Sequence, residues 1–288
     1  MNKPKGILIP VGGNEDKGVE VSEIHSLEFI SEGILFQIVE ESGGPDGLFV
    51  IVPTASSIPD QVAEIYIAAF EKLGCHNIHI LNIRTKEEAA SPAHLQIVEK
   101  ANCVMFSGGD QSRITDAIHD TPMHRILADR YMNEVGFVIA GTSAGAMVMS
   151  QEMIAGGSAV ESFIKGAVKM YYGFGLLPNV MIDTHFIRRG RFGRLSEAIA
   201  IHPCLIGIGL AEDTGLIIKR GNEMEIIGSG MVIIFDGTKV GHNNHNILEK
   251  GTPLTISDIR VHVLSSGDKF FLNERKIIAS PLVVETKG

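Results

Sequence analysis

Gly141-Thr142-Ser143-Ala144-Gly145 has the spacing G-x-S-x-G. A serine in that pattern can act as a nucleophile where the chain turns sharply from a strand into a helix. The setting fits: the apolar run 137–140 precedes it, and the helix-compatible run 144–151 follows. Flanking glycines let the backbone reverse without a Cβ clash. The N–H of Ala144 could face an oxyanion, and the Gly108-Gly109 turn could supply a second donor near Gly109. The plain alternative is a glycine-rich turn in which Ser143 only caps a helix.

A nucleophilic serine needs a base within hydrogen-bond reach and a group that orients the base. Eleven histidines compete for the role. His25, His76, His94, His119 and His124 fall on expected surface helices or loops. His185 instead ends the apolar run Val180-Met181-Ile182, within Asp183-Thr184-His185-Phe186. A strand-end position would bring it to the same sheet edge as Ser143; a partly buried structural histidine is the alternative. Glu212 and Asp213 follow the run 205–210, and either acid could orient the base. Glu15 and Asp16, after the first strand, are further acids at that edge, and both pairs also suit turns and caps.

Arg188, Arg189, Arg191 and Arg194 crowd one short stretch of an acidic chain. Guanidinium forks match carboxylates bidentately, so the cluster reads as a carboxylate clamp or, more simply, as a solvated basic turn.

The elements that must position these residues are legible. Runs 7–10, 48–52, 78–83, 103–106 and 137–140 read as strands. Helical patterns lie between them. Val62, Ile65, Tyr66, Ala69, Phe70 and Leu73 mark one face of a helix over 60–73. Ser91-Pro92 and Thr121-Pro122 open two more. Strands alternating with helices imply a mostly parallel sheet flanked by helices, with sites at the carboxyl ends of the strands. From about residue 205 the texture changes to short strands, 205–210, 216–219, 224–227 and 231–235. The β pattern continues over 252–284, with a hairpin turn at 265–268. No linker or repeat interrupts residues 1–288, so one α/β domain with a β-rich C-terminal portion is the expected organisation.

A length of 288 residues allows a sizeable core. The net charge of −9 argues against bulk nucleic-acid binding. Cys75, Cys103 and Cys204 are too scattered for a disulfide framework or a zinc set and read as buried thiols. With neither a signal-like N-terminus nor a membrane-spanning apolar run, a cytoplasmic protein is expected. His242-Asn243-Asn244-His245 lacks nearby carboxylates or cysteines, so no metal site is read there. Walker and dinucleotide-binding glycine patterns are absent.

Taken together, five ordered motifs resemble those of the cyanophycinases, serine peptidases related to aspartyl dipeptidase E. They are Gly12-Gly13-Asn14-Glu15-Asp16-Lys17, Gly108-Gly109-Asp110-Gln111-Ser112-Arg113, and Gly141-Thr142-Ser143-Ala144-Gly145-Ala146. The fourth is Asp183-x-His185-Phe186-x-x-Arg189-x-Arg191-x-x-Arg194-Leu195, and the fifth Gly207-Ile208-Gly209-x-x-Glu212. The resemblance implies a class I glutamine-amidotransferase-like, flavodoxin-like fold. It implies Ser143 as nucleophile, His185 as general base, Glu212 as orienting acid, and Gln111, Asp183, Arg189, Arg191 and Arg194 around the substrate. It further implies release of β-aspartyl-arginine dipeptides from cyanophycin, no cofactor and no metal, and a homodimer. One departure stands out. The position before His185, usually Gln, is Thr184, whose shorter hydroxyl cannot make the same amide contacts. An aspartyl or isoaspartyl dipeptidase, and a non-catalytic binding protein of the same fold, remain as alternatives.

Overall fold

A computed structural model of the chain describes residues 3–18, 25–157 and 163–280. The N-terminal half alternates β1 (Ile7–Val11), α1 (Ile34–Glu41), β2 (Phe49–Val52), α2 (Pro59–Lys72), β3 (Ile78–Ile80), α3 (Pro92–Lys100) and β4 (Cys103–Phe106). Next come α4 (Gln111–Ile118), α5 (Pro122–Asn133), β5 (Val138–Thr142), the single-turn α6 (Ala144–Met147) and the β6 (Glu152–Gly157)–β7 (Val168–Tyr172) pair. The remainder is β8 (Val180–Asp183), α7 (Phe192–Ile201), β9 (Ile206–Leu210), β10 (Thr214–Lys219), β11 (Glu223–Gly228), β12 (Met231–Asp236), β13 (Arg260–Ser265), β14 (Lys269–Phe271) and β15 (Lys276–Ile278).

The central sheet has nine strands in the order β15-β14-β11-β10-β1-β5-β4-β2-β3. From β1 to β3 every neighbouring pair is parallel. The C-terminal strands β10, β11, β14 and β15 extend the same sheet in antiparallel fashion. A separate sheet, β13-β12-β9-β8, pairs β8 and β9 in parallel. The Ser265–Asp268 turn is present, with Asp268 N–H donating to the Ser265 carbonyl. It is no hairpin, however, because β13 belongs to the second sheet and β14 to the first. Positions 281–284 of the expected β run lie outside the described residues.

Alternation along the strands divides the core. Ile7, Ile9, Val11, Phe49 and Ile51 face one side, under Ile34, Leu35 and Ile38 of α1 and Tyr66, Ala69 and Phe70 of α2. Leu8, Val50, Val52, Val104 and Ile139 face the other, with Ile114 of α4, Leu127 of α5, Ala144 of α6 and the second sheet's Ile182, Ile208 and Val232. Both faces being covered explains why the parallel strands read as unbroken apolar runs. Each fully buried Leu or Phe contributes roughly 1.5–3 kcal/mol. Cys75 and Cys103 are buried, and burial pushes their thiols up to about 11 and about 12. Cys204, expected inside, is exposed, because it sits in the turn between α7 and β9. Among the described residues no helix is long and apolar enough to cross a membrane.

Candidate active site

Strand β5 ends at Thr142, and Ser143 turns the chain into α6 with φ 51° and ψ −108°. That left-handed backbone is unusual for a non-glycine residue and is held from outside, by Ser143 N–H donating 2.9 Å to the Val11 carbonyl of β1. The turn is too tight for side chains nearby: a Cβ on Gly141 would come within 2.3 Å of the Gly145 carbonyl oxygen. The helix expected over 144–151 lasts one turn, since Ser150 bridges Leu177 and Gln151 N–H donates to the Leu177 carbonyl. So short a helix has little macrodipole, and any oxyanion contact must come from individual N–H groups. The Ala144 and Gly109 N–H groups have no internal acceptor among the described residues. Gly109 lines the cavity over Ser143, whereas the Ala144 side chain is fully buried.

His185 does not come from the sheet edge that carries Ser143. It follows β8, in the second sheet, and is tied to the first by its own N–H donating 2.8 Å to the Gly12 carbonyl. Gly13, at φ 103°, makes room for the imidazole: a Cβ there would lie 2.4 Å from His185 Cε1. Glu212 sits in the 211–213 segment, which crosses from β9 of the second sheet to β10 of the first. His185 Nδ1 is 2.8 Å from Glu212 Oε1, and His185 Nε2 is 3.0 Å from Ser143 Oγ. A carboxylate only accepts, so Nδ1 carries the proton and the Nε2 lone pair faces the serine hydroxyl. This arrangement can take a proton from Ser143 as it attacks a carbonyl.

Electrostatics support that protonation state. Burial, opposed by the Glu212 hydrogen bond, holds the His185 imidazolium below its ordinary range, so the ring is neutral near pH 7. Burial alone would raise the Glu212 carboxyl, but bonds from Arg188 and His185 outweigh it and keep the group ionised. Arg188 donates 2.9 Å to Glu212 Oε2 from a side chain 69% exposed, so solvent screens much of that pair. Asp213, the other acid read from the sequence, turns away. It accepts from Asp16 N–H at 3.1 Å and from Ser229 Oγ at 2.6 Å.

Next to the relay lies a cavity of about 740 Å³, whose wall includes Ser143, His185, Glu212, Lys17, Arg188 and Arg189. Of the expected substrate residues, only Arg189 lines it. Asp183, Thr184 and Arg194 are buried. Arg194 Nε donates 2.8 Å to Asp183 Oδ2, and Arg191 donates 3.0 Å to Asp183 Oδ1 and 2.7 Å to the Thr184 carbonyl. Thr184 Oγ1 points at the Met147 sulfur, 3.4 Å away. Asp183 is the carboxylate that both guanidiniums meet among the described residues, so they close on it, while Arg189 stays on the cavity wall. Gln111 spends its amide on the Ile154 and Ala155 carbonyls of β6, at 2.9 and 2.8 Å.

Two contributors were hard to read from sequence. Glu15 is fully buried within a group formed by Tyr66, Thr142 and Lys17. Tyr66 donates to Glu15 Oε1, Thr142 Oγ1 donates 2.6 Å to Oε2, and Lys17 Nζ lies 3.2 Å from Oε1. Burial raises the Glu15 carboxyl, but Lys17 and these hydrogen bonds win and hold it low. Burial, then the Glu15 charge, pushes the Tyr66 phenol well up. The Thr142 bond fixes the residue that leads into the strained Ser143. In the sequence Tyr66 reads as one more apolar position on a helix face, and Glu15 as an acid at the site's edge that suits a turn equally well.

Residues 24–227 match Peptidase family S51. The chain is 36% identical to a cyanophycinase of Trichormus variabilis over 95% of its own length and 88% of that protein. It is 35% identical to one from Geminocystis herdmanii, covering 91% of this chain and 92% of the relative, and 32% to one from Synechococcus elongatus, covering 96% and 84%. In fold it is similar to a peptidase from an acI-B1 Actinobacterium, with TM-score 0.64, 22% identity and coverage of 94% and 98%. A putative peptidase E from Listeria monocytogenes is more distant, at TM-score 0.51, 15% identity and coverage of 77% and 98%. With a family match over most of its length and relatives 32–36% identical along nearly all of it, the chain belongs to Peptidase family S51 and is a cyanophycinase-like peptidase.

Proposed function

We propose that this protein is a serine exopeptidase that cuts the polyaspartate backbone of cyanophycin and releases β-aspartyl-arginine dipeptides. The observation that carries the reading is the Ser143–His185–Glu212 relay, with links of 3.0 and 2.8 Å opening on one cavity. In this scheme His185 Nε2 takes the Ser143 proton as Oγ bonds to the substrate carbonyl carbon. N–H groups of Gly109 and Ala144 receive the oxyanion. His185 then gives its proton to the leaving amine. A water molecule, activated by the same nitrogen, attacks the acyl carbon and frees Ser143. Glu212 orients the ring and stabilises the imidazolium throughout.

The cavity wall suits a substrate bearing both charges. Arg189 offers a cation for a carboxylate, while Glu212 adds negative charge next to Arg188. Asp183, Thr184, Arg191 and Arg194 act in this reading through His185, as the buried mount of the segment that carries it. We further assign the chain to the glutamine-amidotransferase-like α/β fold, as one domain, acting as a cytoplasmic homodimer.

Incubation with cyanophycin and mass analysis of the products tests the substrate. β-Aspartyl-arginine is expected, and Ser143→Ala should remove it. Wild-type-like turnover by folded Ser143→Ala would end the proposal. The buried Thr184 favours a second reading, a dipeptidase for short aspartyl or isoaspartyl peptides, because it offers the cavity no amide. A panel of cyanophycin, β-Asp-Arg and Asp-X dipeptides separates the two. Absence of covalent labelling of Ser143 by a serine-reactive phosphonate would instead indicate a binding protein.

A further inference from the structure

The turn between α4 and α5 gathers three groups that the peptidase reaction does not use. Asp120 adopts φ 62°, and Thr121 locks the turn, donating 2.6 Å to the Ile118 carbonyl and accepting from His124 N–H. The result stacks the His119 and His124 rings with centroids 5.0 Å apart. One nitrogen from each ring and one Asp120 oxygen lie within 4.8 Å of one another.

The chemistry of His124 is specific. Its Nε2 is 2.9 Å from the Phe174 carbonyl, which can only accept, so Nε2 carries the proton. Nδ1 therefore keeps its lone pair, which accepts a long 3.3 Å hydrogen bond from Asp120 N–H that a bound ion would displace. An imidazole whose second nitrogen donates to a backbone carbonyl is the usual form of a metal-ligating histidine. His119 Nδ1 and Asp120 Oδ2 are already 3.2 Å apart, close to the ~3.3–3.5 Å between ligands of a tetrahedral zinc at bonds of about 2.0–2.1 Å. The Asp120 side chain is 77% exposed and can swing toward His124. An adjoining cavity of about 340 Å³, walled by His119, Asp120, Asp116, Lys86, Tyr171 and Tyr172, gives access from solvent.

We propose that His119, Asp120 and His124 bind a divalent transition-metal ion of the zinc class, with water filling the remaining position. The ion would fasten the α4–α5 turn to the segment after β7 through the His124–Phe174 bond. Gln111, at the start of α4, already holds β6 of the same pair.

The test uses the full-length protein after chelator treatment and dialysis. Titration with Co²⁺, followed by visible absorption, and with Zn²⁺, followed by calorimetry, should show saturable binding with a tetrahedral cobalt spectrum. His119→Gln and Asp120→Asn should each weaken binding by more than roughly tenfold, since loss of even an outer partner costs 10–100-fold. Without metal, both variants should melt and hydrolyse substrate like the parent. Zn²⁺ should raise the melting temperature of the parent only. No saturable binding by the parent, or parent-like affinity in both variants, would overturn the assignment.

Discussion

Two carboxylate-and-cation groups flank Thr184, one holding Asp183 and the other His185, and only one is built to react. Asp183 is fully buried and bonded by Arg191, Arg194 and the Thr184 N–H. Glu212 has one oxygen on His185 and the other on a solvent-exposed Arg188, beside a cavity. Both acids meet nitrogen donors, but the first set holds only guanidinium and amide donors, with no proton poised to move. The second keeps one mobile proton between Ser143 and His185. Each pairs a carboxylate with nitrogen donors; a titratable imidazole and access to a cavity divide chemistry from scaffold.

Ser143→Ala should break the reactive group most severely. Turnover should fall about 10⁴-fold or more with an unchanged melting temperature, checked by product release and calorimetry. Glu212→Gln keeps the shape but not the charge, and kcat should drop about 10³–10⁴-fold, read in steady-state assays. Asp183→Asn should reverse the pattern. It strands the buried Arg194 guanidinium and weakens the hold on half-buried Arg191, so denaturant unfolding should report a loss of about 3–5 kcal/mol. If Asp183→Asn instead lost activity at full stability, the distinction between the two groups would fail.

The pH profile sharpens the contrast. His185 must be neutral to accept a proton, and burial lowers its pKa from the ordinary 6.5. The rate should therefore climb from acid pH, bend below 6.5 and stay flat through neutrality. Glu212→Gln removes the partner that raises this pKa, so the residual activity should bend at still lower pH. The smallest change is expected of Tyr66→Phe, which takes one hydrogen bond from buried Glu15 and should cost about 1–3 kcal/mol by thermal melting.

How much of this was legible follows from how local each signal is. The parallel strands and the serine turn announce themselves, because a strand buried on both faces is continuously apolar and a sharp reversal needs glycine. Ser143 and His185 stand where apolar runs end in polar residues, whereas the choice of Glu212 over Asp213 comes only with the family resemblance. Their meeting across two sheets could not be seen, since β8 and β1 look alike in a linear pattern. Nor could the burial of Asp183, Thr184 and Arg194. An arginine pointing into solvent and one folded onto a carboxylate have the same spacing, and only tertiary packing separates them. The helix α7 (Phe192–Ile201) is masked by the same arginines, and the turn at 265–268 reads as a hairpin because a change of sheet leaves no mark in the sequence.

The crossing of residues 211–213 from one sheet to the other has a mechanical consequence. Ser143 rides on one slab of the molecule and His185 on the other, so their hydroxyl-to-imidazole gap gauges the alignment of the slabs. A slip of one ångström along the shared core, far too small to unfold anything, would open that gap beyond proton-transfer distance. Repacking a residue such as Ile208 or Val232 should therefore silence the enzyme while spectroscopy still shows a native protein.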